Sequence, residues 1–218
     1  MQTVIVNIHL HEQRKKMEND HCKVNEAVEN LSYKREIDPL NKDSYTIEDW
    51  LSWDENLRTE LHEGNLIMLA QPTQSHQKVL GELHGQLWQF LKGKPCSVFT
   101  APFGVRLFED EDTAYEPDIV VVCDKSRLGG KTLIGAPDFV IEILSPSTAR
   151  MDKLLKYRKY EKAGVREYWI VDPDASCVQT NVLKDGSYII SMYDETDKAP
   201  VTVLEGCEVN LADVFSEV

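Results

Sequence analysis

Two short apolar runs of the sequence each contain a carboxylate. In YEPDIVVV, residues 115–122, Asp118 directly precedes four β-branched residues. In PDFVIEILSPST, residues 137–148, Glu142 has an isoleucine on either side. Runs of this length and composition are typical of buried strands. A charge in or beside a buried strand requires hydrogen-bond donors, a cationic partner or a metal ion, and the sequence is compatible with each of these.

A divalent metal ion would give both carboxylates the same role. Mg²⁺ and Mn²⁺ prefer oxygen ligands, usually one or two carboxylates together with water and substrate phosphate oxygens. Asp118 and Glu142 meet if their strands are neighbours, and the main-chain carbonyl of Ile143 would be a further ligand. The alternative is that both carboxylates are structural and accept hydrogen bonds from main-chain N–H groups.

The segment after the second run adds basic side chains to the same region. Asp152, Lys156 and either Lys159 or Tyr160 recur at three- and four-residue steps, so a helix would place them on one face. A lysine over the carboxylates would bind a phosphate or orient a water molecule and help to deprotonate it. The alternative is a solvated face whose Asp152–Lys156 ion pair is worth about 0.3 to 0.5 kcal/mol. The run KLLKYRKYEK, residues 153–162, is also the most basic of the chain.

Local patterns predict the elements that position these residues. In chain order they are a short helix within 44–53, a hairpin turning at 63–64, a long helix ending at Gly93, two strands within 96–110, strands at 115–122 and 138–144, a helix ending at Gly164, a strand at 167–172 and a hairpin turning at 185–186. This order predicts an α/β or α+β domain over residues 44–218, built on a central mixed β-sheet flanked by helices. Residues 1–43 are polar and predict a partly helical N-terminal arm.

Composition narrows the class of protein. The chain has 218 residues and a formal net charge of −13, which opposes non-specific binding to nucleic acid. No apolar run is long enough for a membrane span, and the N-terminus does not resemble a signal peptide. Five scattered cysteines without CxxC spacing predict reduced thiols in a cytoplasmic protein, with no disulfide framework and no zinc site. The Gly129-Gly130-Lys131 stretch lacks the spacing of a nucleotide-binding loop, so we expect no nucleotide cofactor.

A strand with Pro-Asp, an acidic residue on the next strand and then a lysine resembles the PD-(D/E)XK nuclease superfamily. The fuller strings TELHEGNLIMLAQPTQSHQ, YEPDIVVV and PDFVIEILSPSTARMDKLLKYRKYEKAGVREYWIVDP resemble the Uma-type putative restriction endonuclease family within it. The resemblance extends from about Tyr45 to the last hairpin. It implies a restriction-endonuclease-like core, a Mg²⁺ or Mn²⁺ cofactor, DNA as the substrate, and pairing into a homodimer.

The resemblance also implies roles for single residues. Asp118 and Glu142 match the two acidic metal ligands, and Glu60 matches an acidic residue that completes the metal site. His76 matches a histidine near that site. The superfamily's lysine, two residues after the second acid, is absent because that position holds Leu144. Lys156 on the following helix is the match in this family, with Asp152 one turn before it as a supporting residue.

Three functions follow as hypotheses. The first is a metal-dependent endonuclease in which a Mg²⁺- or Mn²⁺-activated water hydrolyses phosphodiester bonds and Lys156 assists. The second is a non-catalytic module with a nuclease-like fold that binds nucleic acid or a protein, which the net charge and Leu144 favour. The third is a subunit whose acidic surface is covered by a basic partner. Glu116, beside the Pro-Asp pair, is expected to be an exposed residue at the start of a strand.

Overall fold

Short-range signals determine where the helices begin and end. The computed structural model describes residues 42–53, 58–109, 111–130, 132–145 and 151–216, with the backbone alone at 151–153. The helical elements are α1 (Ile47–Ser52), α2 (Gln74–Leu91), a 3₁₀ turn (Lys125–Arg127), a π-helical turn (Met151–Lys156) that continues into α3 (Tyr157–Ala163), and α4 (Leu211–Val214). Thr46 and Thr73 cap α1 and α2 through their side-chain oxygens. Gly164 ends α3 at φ 84°, as predicted.

The predicted N-terminal arm, residues 1–43, lies outside the described residues except for Lys42 and Asp43. Among the described helices, none is long and apolar enough to cross a membrane.

Fourteen strands are present in the described part of the chain. They are β1 (Thr59–His62), β2 (Asn65–Met68), β3 (Ser97–Thr100), β4 (Gly104–Arg106), β5 (Ala114–Tyr115), β6 (Ile119–Val122), β7 (Leu128–Gly129), β8 (Thr132–Ile134), β9 (Phe139–Ile143), β10 (Glu167–Asp172), β11 (Cys177–Lys184), β12 (Ser187–Asp194), β13 (Lys198–Pro200) and β14 (Glu208–Asn210). Both predicted hairpins are confirmed. Glu63-Gly64 and Asp185-Gly186 occupy their turns, and all four residues have positive φ, as a two-residue type I′ turn requires.

The strands form two six-stranded mixed sheets and one two-stranded sheet. The orders are β2-β1-β5-β4-β8-β7 in the first, β12-β11-β10-β9-β6-β3 in the second, and β13-β14 in the third. In each large sheet one neighbouring pair is parallel, β4 with β8 and β9 with β10, and the other pairs are antiparallel. The mixed sheet that contains both carboxylate strands is as predicted; the second large sheet was not anticipated.

The two faces of the β12-to-β3 sheet pack against different partners, which follows from the alternation of side chains along β6 and β9. On one face Ile119, Ile141 and Ile143 pack with the buried stripe of α2 and the C-terminal segment. On the other face Val120 and Val140 pack with residues of the first large sheet and of α3. Glu142 has the parity of Val140, so its side chain lies on this second face.

Cys96 and Cys123 form a disulfide, with a Cα–Cα distance of 3.9 Å. The expectation that all five cysteines are reduced is therefore wrong for this pair. The two residues lie one position beyond the paired Ser97 and Val122 of β3 and β6, so the strand register places them opposite each other. The two cysteines are 27 residues apart in the sequence, and this separation alone does not predict that they pair. Cys177 and Cys207 are free thiols.

Candidate active site

The two carboxylates that stand in apolar runs face each other across neighbouring strands. β6 and β9 are antiparallel, and Ile119 pairs with Ile141. One step further along the ladder places Asp118 opposite Glu142, with both side chains on the face that carries α3. The chain between the two strands includes a 3₁₀ turn, β7 and β8.

Asp118 is oriented by two donors. Its Oδ2 accepts a hydrogen bond of 2.7 Å from the main-chain N–H of Ile143 and lies 3.2 Å from Nε2 of His76. Because the N–H and C=O groups of one strand residue point to the same side, the Ile143 carbonyl is also directed towards Asp118. His76 is in the first turn of α2, where its own N–H donates to Thr73, and its side chain is 9% exposed.

Lys156 reaches from the last π-helical residue to the carboxylates of two different sheets. Its Nζ lies 2.8 Å from Oε1 of Glu60 on β1 and 2.9 Å from Oε1 of Glu142 on β9. The three side chains are 3 to 5% exposed. An ammonium in this position neutralises part of a charge cluster that would be strongly unfavourable away from water.

Leu144 explains why the strand itself supplies no lysine. It lies two residues after Glu142, on the same face, and is buried in the apolar cluster beneath α3. The ammonium beside Glu142 is instead supplied by Lys156, from the helical element that follows the strand. The predicted displacement of a lysine from the strand to the helix is thus compatible with the packing of both residues.

Two buried tyrosines lie beside the cluster of Lys156, Glu60 and Glu142. Tyr160, one turn after Lys156, donates a hydrogen bond of 2.8 Å to Oε1 of Glu142. Burial, followed by the nearby charges of Glu142 and Glu60, raises the pKa of Tyr160 well above its ordinary value, so its hydroxyl remains a donor. Burial likewise raises the pKa of Tyr115, whose ring lies 5.4 Å from the Lys156 ammonium.

One functional candidate, Arg58, was not identified from the sequence, and a second, Glu116, was expected to be an exposed residue at the start of a strand. The main-chain N–H of Glu116 donates to Oε1 of Glu60, and its own Oε2 lies 3.7 Å from Nη2 of Arg58. The expectation that Glu116 is exposed is wrong, because its side chain is 13% exposed, and this burial raises its pKa. A usable signal was present, since Arg58 and Glu116 each stand two residues from a predicted ligand and so share its strand face.

The charged side chains of the site line one cleft, which is partly open to solvent. Its polar lining consists of Arg58, Glu60, Gln71, His76, Glu116, Asp118, Glu142, Ser145 and Lys156. Of the predicted site residues, Glu60, His76, Asp118, Glu142, Ile143 and Lys156 are brought together here. The side chain of Asp152 lies outside the described residues.

Two further lysines of the basic run, both on α3, are paired with acidic side chains. Lys159 Nζ lies 2.6 Å from Glu111 and 2.8 Å from Glu63, and Lys162 also binds Glu111. The Lys159 contacts lower the pKa of Glu63 and, together with Lys162, that of Glu111. These two lysines are therefore engaged by protein carboxylates, whereas Lys156 lines the cleft.

The oxygen atoms of the site suit a hard divalent cation, but the protein alone does not supply a complete set of ligands. Asp118, Glu142 and the Ile143 carbonyl are oxygen ligands on adjacent strands, and Asp118 Oδ1 makes no contact among the described residues. No group of three or more His, Cys, Asp or Glu side chains in the described chain is arranged to hold an ion by itself. Sites with one or two carboxylates and several water or phosphate oxygens are typical of Mg²⁺.

Comparison with known proteins points to nucleases. The Uma2 family, described as a putative restriction endonuclease, matches residues 47–212. The uncharacterized protein slr1290 of Synechocystis is 24% identical over 157 residues, which are 69% of this chain and 81% of that protein. A solved structure described as a putative nuclease belonging to DUF820, from Anabaena variabilis, has a TM-score of 0.65 at 23% identity. The match covers 78% of this chain and 97% of that one, and it confirms the α+β fold class.

Proposed function

The chain belongs to the Uma2 family of putative restriction endonucleases, and from this premise we propose that it is a divalent-metal-dependent DNA endonuclease. The observation that carries the proposal is the convergence of Asp118, Glu142 and Lys156 in one cleft from three different elements. A purely structural carboxylate needs hydrogen-bond donors only, whereas here two acids and a lysine share one solvent-connected cleft.

Mg²⁺ or Mn²⁺ would be held by Asp118, by Glu142 and by the main-chain carbonyl of Ile143. Glu60 offers Oε2, since its Oε1 already accepts from Lys156 and from the Glu116 N–H. Such an ion supplies an activated water and stabilises negative charge on the phosphate. The remaining positions would belong to water and to the substrate, as expected for an ion that two carboxylates hold.

The protein's own residues orient the reacting groups. His76 and the Ile143 N–H hold Asp118 Oδ2, so Oδ1 would be the oxygen offered to an ion. Tyr160 fixes Glu142 from the buried side. Lys156 places a positive charge beside Glu142, where it would orient the attacking water and stabilise charge that develops on the phosphate. Asp152, one turn earlier on the same helical element, remains a predicted supporting residue.

A homodimer is part of the proposal, because one site of this kind cuts one strand and two copies are needed to cut a duplex. Light scattering should then give twice the mass of a 24.9 kDa chain.

Cleavage of plasmid, single-stranded and branched DNA by the full chain tests the function. We expect cutting with Mg²⁺ or Mn²⁺, none with EDTA, and a loss of at least 100-fold in Asp118→Asn and Glu142→Gln, equivalent to about 2.7 kcal/mol or more. Glu208→Gln, on exposed β14, is the matched control that removes one carboxylate elsewhere. Cutting that persists at wild-type rates in both site variants contradicts the proposal.

One observation favours a second candidate, a non-catalytic binding module. The Lys156 ammonium already bridges Glu60 and Glu142, so these acids are neutralised in part without an ion. Calorimetry separates the two functions. Divalent-ion binding that is lost in Asp118→Asn supports the nuclease, and nucleic-acid or protein binding without any such ion binding supports the module.

A further inference from the structure

Three residues that line the same cleft each have a buried polar atom without a hydrogen-bond partner among the described residues. The atoms are Arg58 Nε, His76 Nδ1 and Glu116 Oε2. A buried donor or acceptor that loses water without gaining a partner is unfavourable, and native proteins contain few of them. Three of them on one cleft therefore indicate a place where a polar ligand completes the hydrogen bonding.

Arg58 is the cationic member of this group. It directly precedes β1 and stands two residues from Glu60, so both side chains lie on the cleft side of the strand. Its side chain is one-third exposed, while Nε is buried. The distance of 3.7 Å to Glu116 Oε2 is longer than a hydrogen bond, so Glu116 attracts the guanidinium without satisfying it.

The acidic lining of the cleft requires a cationic contact near the solvent, and Lys156 does not provide it. Four carboxylates and two cationic side chains are found among the lining residues. Lys156 is engaged by Glu60 and Glu142 in the buried part of the cleft. A nucleic-acid backbone that approaches this acidic lining needs a cationic contact nearer the solvent. The Arg58 side chain is partly exposed, and a planar guanidinium matches the geometry of phosphate oxygens.

We propose that Arg58 is a phosphate-positioning residue, whose guanidinium binds a non-bridging oxygen of the nucleic-acid backbone beside the Asp118–Glu142 pair. Glu116 holds the guanidinium towards the cleft in the absence of substrate. The contact is independent of base sequence, since it is made to the backbone. This inference rests on the proposed nuclease function, because a substrate phosphate is the ligand that Arg58 would bind.

The test measures binding separately from cutting. A fluorescein-labelled 20-base-pair duplex is titrated with the full chain in Ca²⁺ at several salt concentrations, and a gel confirms that the probe remains intact. The variants are Arg58→Gln, Arg58→Lys and, as the matched control, Arg106→Gln. Arg106, on β4, also has a buried unpartnered Nε but does not line the cleft. Thermal unfolding verifies that each variant is folded.

We expect Arg58→Gln to weaken binding about tenfold or more at low salt, as for a charge-assisted hydrogen bond. The slope of log K against log salt should become shallower by about 0.9, the value for one phosphate contact. Arg58→Lys should keep the wild-type slope, because it keeps the charge. A wild-type affinity and slope in Arg58→Gln, or the same change in Arg106→Gln, overturns the inference, as does a wild-type chain that does not bind the probe.

Cleavage assays separate this inference from the function on which it rests. If the wild type cuts DNA and Arg58→Gln cuts with unchanged KM and kcat, the nuclease function stands and the role of Arg58 falls. If no DNA is cut but Arg58→Gln still loses affinity and salt dependence, the phosphate contact stands and the catalytic function falls. With both correct, Arg58→Gln raises KM at least tenfold.

Discussion

Replacement of Lys156 by methionine should be among the most destabilising single changes in the described part of the chain. The ammonium and its two carboxylate partners are 3 to 5% exposed. Methionine fills a similar volume but leaves Glu60 and Glu142 as uncompensated buried charges. Breaking a buried ion pair in this way typically costs about 3 to 5 kcal/mol, a large share of the roughly 5 to 15 kcal/mol that stabilises a domain.

Urea unfolding measures this loss directly. With a slope of about 2 kcal/mol/M, the midpoint of Lys156→Met should fall by about 1.5 to 2.5 M. Lys162→Met is the matched control on the same helix. Its ammonium is 61% exposed, and an exposed pair with Glu111 is worth at most about 1 kcal/mol, so its midpoint should move by about 0.5 M or less.

A second substitution should recover part of the loss. Glu60→Gln in the Lys156→Met background removes one of the two uncompensated charges, so the double variant should be more stable than Lys156→Met alone. If Lys156→Met unfolds at the same urea concentration as Lys162→Met, the ammonium does not hold the two carboxylates together. The central geometry of the site would then be wrong.

Further predictions concern the neighbours of this cluster and one distant acid. Tyr160→Phe should keep the fold but reduce cleavage several-fold, because Glu142 loses the hydrogen bond of 2.8 Å that the Tyr160 hydroxyl donates. An unchanged cleavage rate would show that Tyr160 has no role in the site. The double variant Leu144→Lys, Lys156→Leu should cut DNA faster than Lys156→Leu alone, because residue 144 lies on the same face of the sheet as Glu142 and can place an ammonium beside it. Equal rates would show that a lysine on the strand cannot replace Lys156. Burial raises the pKa of Glu167 above its ordinary 4.5, so the folded state binds the proton more tightly than the unfolded state. Stability from this group therefore declines as pH rises from about 4.5 through the folded pKa. Glu167→Gln should gain stability relative to wild type over this pH range, and parallel stability curves for the two proteins would contradict the shift.

The sequence was sufficient for those features that depend on short segments. The positive φ at Gly64 and Gly186 and the buried stripe of α2 follow from local chemistry, and each is present in the structure. Local chemistry allowed either Thr73 or Ser75 to cap α2, and the structure has Thr73. The pairing of β6 with β9 was also foreseeable, because two apolar runs with one acid each suggested neighbouring strands. The convergence of Lys156 with Glu142 followed from helical spacing together with a family resemblance.

The rest depends on long-range register, which no local pattern contains. The second six-stranded sheet brings Glu60 to Lys156 across 96 residues, and spacing alone offered no measure of that distance. The Cys96–Cys123 bond likewise follows from the pairing of β3 with β6. Arg58 was overlooked because a lone arginine at the start of a strand is ordinary. Its importance arises from an unpartnered Nε, which is visible only once the surroundings are known.

The most direct test of the account is a crystal of the full chain soaked in Mn²⁺ and measured for anomalous scattering. We expect one strong anomalous peak within coordination distance of Asp118, Glu142 and the Ile143 carbonyl, with the Lys156 ammonium beside it. We expect no such peak in Asp118→Asn. A map without a peak in this cleft at saturating Mn²⁺, or a peak that persists in Asp118→Asn, would contradict the proposed metal centre.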